Sequence, residues 1–89
     1  MPNYLHYEFD LSANDTVEVI LDNRANVRLL DEANVLLYKN RKYHRYYGGY
    51  AKTSPIQIAA PRAGHWHVVV DLGGYAGTVS ASTSLLQGA

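Results

Sequence analysis

The clearest alternation of apolar and polar positions runs from Gly64 to Leu72. Read with period two, Trp66, Val68, Val70 and Leu72 point one way, and His65, His67, Val69 and Asp71 point the other. The first set is wholly apolar and holds the only Trp of the chain, so it predicts a core face. Pro61 and Gly64 open this strand, and Gly73, Gly74 and Gly77 close it. Tyr4 to Leu11 alternates equally well, with Leu5, Tyr7, Phe9 and Leu11 on one face and His6, Glu8 and Asp10 on the other. That pattern predicts a half-buried strand. Thr16 to Leu21 repeats it, with Val17, Val19 and Leu21 inward and Glu18 outward; Ile20 interrupts the polar face and is expected beneath a loop. Asp22-Asn23 is a turn signal, which predicts that the next strand, Ala25 to Leu30, pairs back on Thr16–Leu21 as a hairpin.

Asp31 has the chemistry of a helix N-cap, because its carboxylate accepts from backbone N–H groups two or three residues on. Glu32 to Tyr38 follows with Ala33, Val35, Leu36 and Leu37 and no Gly or Pro, and predicts one or two helical turns. Lys39 to Lys42 reads as a solvated basic loop. Tyr43 to Lys52 is Tyr-rich, a strand composition, and its Gly48-Gly49 pair marks a bulge, a tight bend or a close backbone approach. Ser54-Pro55 starts another strand with Ile56 and Ile58 inward. Gly73 to Gly77 reads as a hairpin turn into a last strand, Thr78 to Leu85, with Val79, Ala81 and Thr83 on one face; Gln87 to Ala89 is expected to fray. Six to eight short strands and one short helix predict an all-β fold over residues 1–89, a single antiparallel β-sandwich or partly open barrel.

Composition narrows the chemistry. With no cysteine, disulfides and thiolate metal sites are excluded, which fits a cytoplasmic location. The N-terminus, Met1-Pro2-Asn3-Tyr4, carries no secretory pattern, and no apolar run approaches the roughly 20 residues of a bilayer span, so no membrane role is expected. Net charge is zero but unevenly spread. Residues 1–32 hold seven acids against Arg24 and Arg28, whereas residues 33–70 hold six bases and no acid. Overall neutrality argues against a dedicated binder of double-stranded nucleic acid.

Several segments together resemble a known bacterial family. RYYGG at Arg45–Gly49, Ser54-Pro55 and the P-x-x-GHWHVVVDLGGYAGTV run at Pro61–Val79 are similar to the family catalogued as domain of unknown function 1883. Leu5-His6, the V-E-V of Val17–Val19 and A-N-V-x-L-x-D at Ala25–Asp31 extend the likeness over nearly the whole chain. The resemblance implies a small β-rich bacterial domain, joined in some family members to a Toll/interleukin-receptor domain. It implies no catalytic residues.

Three kinds of chemistry remain open from the residues. His65, His67 and Asp71 share one face of one strand, and two imidazoles at i, i+2 with a carboxylate could hold a metal ion, His44 or His6 completing the set. The plainer account is surface or locally hydrogen-bonded histidine. The basic, Tyr-rich segment (Arg41, Lys42, Tyr43, Arg45, Tyr46, Tyr47, Tyr50 and Lys52) could hold a small ligand or single-stranded nucleic acid, or contact a protein. Its plainer account is Tyr residues capping the core beside solvated bases. Gly73 to Gly77 precedes a β-pattern rather than a helix, so it does not read as a phosphate cradle. The serines have no sequence-level tie to a base, so no catalytic residue and no cofactor is assigned. The leading expectation is a non-enzymatic recognition module that binds a protein partner or a second copy of itself.

Overall fold

The computed structural model describes residues 4–74 and 76–88. Seven strands and one helix follow one another as β1 (Tyr4–Leu11), β2 (Thr16–Leu21), β3 (Ala25–Asp31), α1 (Glu32–Lys39), β4 (Tyr47–Ala51), β5 (Ile56–Ala59), β6 (Gly64–Asp71) and β7 (Ala81–Leu86). They form two antiparallel sheets, β1-β6-β3-β4 and β5-β2-β7, which do not close into a barrel. The sandwich alternative of the sequence reading therefore describes the fold.

The alternation does its expected work in the space between the sheets. Val17, Val19 and Leu21 of β2 and Ile58 of β5 pack against Ala25, Val27 and Leu29 of β3 and Trp66, Val68 and Val70 of β6, all buried. Fully burying such side chains is worth about 1.5–3 kcal/mol each, so this layer dominates stability. The Trp66 indole N–H donates to the Arg62 carbonyl at 3.1 Å, and the Arg62 guanidinium lies 4.8 Å from the ring centroid. The one polar atom of the largest core residue is thus satisfied at the sheet margin.

Connectivity departs from the local turn signals. β2 pairs with β5 and β7, while β3 pairs with β4 and β6, so β2 and β3 do not form the expected hairpin. The Asp22-Asn23 turn carries the chain from one sheet to the other instead. Asp22 accepts from the Ser80 N–H at 2.7 Å and donates its own N–H back to the Ser80 carbonyl at 3.2 Å, which orients the crossing. The Gly73–Gly77 segment is likewise a crossing between sheets rather than a hairpin; Tyr75 within it lies outside the described residues. Five of the six strand-to-strand connections change sheet, and only β3 to β4, which contains α1, stays in one. A turn signal reports reversal of direction, which both a hairpin and a crossing need.

Smaller differences have local causes. Ile20 is exposed rather than covered by a loop. The last strand begins at Ala81, three residues after Thr78. Gly88 is held beyond it, its N–H donating to Asp15 at 3.0 Å. Of the Tyr-rich segment only Tyr47–Ala51 is strand.

Gly48 and Gly49 cause no bulge: β4 keeps regular register with β3, Gly48 opposite Arg28 and Gly49 opposite Val27. The close-approach alternative holds instead. At Gly48 φ is +109°, and a Cβ there would clash with the Val27 carbonyl oxygen. Gly48→Ala should therefore lower unfolding free energy by roughly 2 kcal/mol or more, read from urea denaturation. An unchanged denaturation midpoint would refute this account of β4.

Candidate functional site

The outer face of the β1-β6-β3-β4 sheet carries the chemistry, and α1 lies across it. The helix forms there because Asp31 caps it, accepting from the Asn34 N–H at 2.9 Å, with Glu32 in the first turn and Lys39 in the last complementing the helix dipole. It ends with Arg41 in the left-handed region (φ 58°), while the Arg41 and Lys42 N–H groups donate to the Tyr38 and Leu37 carbonyls. Val35 buries against Leu30 of β3 and Val69 of β6, with Tyr4 and Tyr38 alongside. This small second core divides the polar residues of the face into two groups.

The first group forms at one end of β6. Register places Glu8 opposite His67 and Asp10 opposite His65, so H-x-H on β6 meets E-x-D on β1. The two imidazoles stand with ring centroids 5.0 Å apart. His65 Nδ1 lies 2.7 Å from Asp10, and its Nε2 lies 2.9 Å from Glu8 and 3.7 Å from Glu32. His67 is buried; its Nε2 lies 2.6 Å from Glu32 and its Nδ1 lies 2.8 Å from His6 Nε2. Hydrogen bonds donated by the His65 ring to Asp10 and Glu8 push its pKa up to about 9. Burial, with the charge of Lys39, pushes His6 down, so His6 is neutral near pH 7. The bond to His65 is also the main cause holding Glu8 below the usual carboxylate range.

Asp71 is not part of that group, although it shares the β6 face with both histidines. Its carboxylate accepts from Arg28 at 2.6 Å, from the Tyr38 hydroxyl at 2.6 Å, from Asn26 at 3.0 Å and from the Gly73 N–H at 2.8 Å. These bonds leave it little capacity for a metal. His44 also lies apart from His65 and His67, its ring between Tyr38 and Tyr46. The structure brings His65 and His67 together with Glu8 and Glu32 instead. Sequence reasoning missed both glutamates. Glu8 was on the outward face of the best-alternating strand, and only its pairing with β6 was unknown. Glu32 is delivered by the helix cap, which no periodicity reveals.

The basic Tyr-rich residues do not share one face. Tyr46 lies on the outer side, its ring 5.1 Å from the Arg28 guanidinium, whereas Tyr47 packs edge-on to Trp66 of the inner layer at 6.0 Å. Tyr50 stands opposite Asn26 and is exposed, and Tyr43 is 86% exposed. Arg41, Lys42, Arg45 and Lys52 are exposed around them. Tyr47 and Tyr50 belong to β4, the edge strand of its sheet, with Arg45, Tyr46 and Lys52 just outside its ends, whereas Arg41 and Lys42 follow the end of α1 on the side of Tyr4 of β1. Beside them Tyr4, Tyr38, Lys39, Arg41, Lys42 and His44 line a cleft of about 290 Å³. His44 Nε2 is buried without a hydrogen-bond partner among the described residues.

The Asp71 group generates a pH prediction. Burial raises its pKa, but the bonds from Tyr38 and Asn26, the Arg28 charge and the Gly73 N–H outweigh burial and hold the carboxyl below its ordinary 3.8. A depressed carboxyl contributes stability that is complete above its unfolded pKa and lost as pH falls through the folded one. Asp71→Asn should cost roughly 2–4 kcal/mol at neutral pH, because it leaves Arg28 largely buried and unpaired. The gap to wild type should narrow as pH falls below about 4 in denaturation series. A gap independent of pH would contradict the ionised network.

Among the described residues, no helix is long and apolar enough to cross a membrane. No curated protein and no solved structure matches the chain. One family does: the profile described as Domain of unknown function (DUF1883) matches residues 2–88. That span takes in both strands that carry the His/Glu group and the whole β4 margin, and the chain belongs to the DUF1883 family.

Proposed function

We propose that this domain is a non-enzymatic recognition module whose contact surface is the free margin of β4, and that its partner is a protein presenting an extended acidic segment. The observation that carries the reading is the edge position of β4 together with exposed Tyr43, Tyr46, Tyr47 and Tyr50. An edge strand offers unpaired backbone N–H and C=O groups to an added strand. Tyr contributes large contact area at small entropic cost. Arg45 and Lys52 flank the strand with complementary charge, Arg41 and Lys42 add to the positive field of the segment, and no acid lies between residues 33 and 70. The split of Tyr46 and Tyr47 between the two sides of the sheet suits a strand that runs along the edge. It suits a stacking platform for single-stranded nucleic acid less well, since such a platform aligns its aromatic rings along one groove. A second copy of the chain, with its acidic first 32 residues, is one form this partner takes. This reading has the contact made in the cytoplasm, a setting that the lack of cysteine fits.

A photo-crosslinking residue placed singly at Tyr43, Tyr50 or Lys52 should give defined protein adducts in cells, and one at Gln57 or Ser84 of the other sheet should not. Arg41→Glu with Arg45→Glu should abolish the adducts while leaving the fold intact by circular dichroism. Equal labelling from both sheets, or none from β4, would sink the proposal.

The aromatic, basic cleft between the end of α1 and Tyr4 of β1 favours a second reading, a sensor of a small anionic ligand. Three bases surround two Tyr rings there, and His44 Nε2 offers an unused polar atom. In a screen of phosphate-bearing small molecules by NMR, shifts concentrated at Tyr38, Lys42 and His44 would favour the sensor. A flat response there would leave the protein-binding reading alone.

A further inference from the structure

The strongest unassigned chemistry lies at the other end of the outer face, away from β4. We propose that Glu8, Glu32, His65 and His67 form a binding site for one divalent transition-metal ion, with zinc as the leading candidate. One potential ligand atom from each of the four lies within 4.8 Å of those of the other three. Three elements supply them: β1 gives Glu8, α1 gives Glu32 and β6 gives both histidines. Tetrahedral zinc with bonds of about 2.0–2.1 Å sets its ligand atoms about 3.3 Å apart. The separations of 2.6, 2.9 and 3.7 Å among His67 Nε2, His65 Nε2 and the two carboxylates bracket that length. Small side-chain rotations therefore suffice to accept the ion.

Two further features point to a cation. Each imidazole aims its Nε2 at a carboxylate of the cluster, Glu8 for His65 and Glu32 for His67, and has its Nδ1 engaged by an outer partner, Asp10 for His65 and His6 for His67. Outer-shell partners of this kind fix ring orientation in metal centres. In addition, Glu8 and Glu32 both approach His65 Nε2, at 2.9 and 3.7 Å. A single N–H serves one acceptor well, whereas a dication attracts both carboxylates and the imidazole lone pairs at once. The N₂O₂ donor set favours zinc, cobalt or nickel over magnesium or calcium, which prefer all-oxygen shells. Four protein ligands make the site structural, a tie between the start of α1 and the β1/β6 pair.

The test uses tag-free protein stripped with a chelator and titrated with zinc by calorimetry, and with Co²⁺ by visible absorption. One ion per chain is expected, with the absorption of tetrahedral Co²⁺. At a hundredfold excess over the dissociation constant the thermal midpoint should rise by roughly 10–20 °C. Glu32→Gln and His65→Gln, both at exposed side chains, should each weaken binding at least about 10-fold while the far-ultraviolet spectrum is unchanged. Absence of saturable binding to wild type would overturn the proposal, as would binding unaffected by both substitutions. Neither outcome bears on the β4 margin.

Discussion

Strand β6 is buried on both faces, and the rest of the structure follows from that constraint. Residues Trp66 to Asp71 are all buried, although the strand carries His67 and Asp71. Its inner face joins the layer between the sheets, and its outer face lies beneath α1. Neighbours β1 and β3 satisfy its backbone on both edges. A buried polar side chain without a partner costs several kcal/mol, so each polar group on β6 has to find one inside the domain. The partners come from whatever the neighbouring elements present: His6 and Glu32 for His67, and Arg28, Asn26 and Tyr38 for Asp71.

This requirement makes one sheet face into two chemically different ends. Between them, Leu30, Val35 and Val69 exclude water and keep the groups apart. At the Asp71 end every acceptor position is used, and the arrangement is that of a stabilising network. At the His67 end, Glu8, Glu32, His65 and His67 converge, the arrangement on which the metal proposal rests. The β4 margin is different again: its groups face outward and are underused, as a contact surface requires. In the proposed reading, fold maintenance and recognition fall to different strands of one sheet.

Much of the architecture was legible in the residues. Alternation in Tyr4–Leu11 and Gly64–Asp71 identified the strands and their buried faces, and Asp31 identified the helix start. The likeness carried by RYYGG and GHWHVVVDLGG pointed to the family to which the chain belongs. Strand order was not legible, because Asp22-Asn23 and Gly73–Gly77 specify a change of direction and are silent about which sheet receives the next strand. The candidate site suffered from the same gap. His65, His67 and Asp71 share a face, but three residues of strand separate Asp71 from His67, and Arg28 claims it. Glu8 is five strands away in sequence order yet directly opposite His67. The Tyr-rich segment looked like one surface because neighbours in sequence were read together, but Tyr46 precedes β4 and lies by Arg28 whereas Tyr47 opens β4 and packs on Trp66.

The account stands on the register of β1 against β6, since a slip of one residue would exchange every inward and outward side chain. Cross-strand nuclear Overhauser contacts in a labelled sample measure that register directly. The account expects backbone contacts between Glu8 and His67 and between Asp10 and His65. Contacts displaced by one residue, joining Phe9 to His67, would contradict it, and would dissolve the His/Glu group along with the core face that supports it.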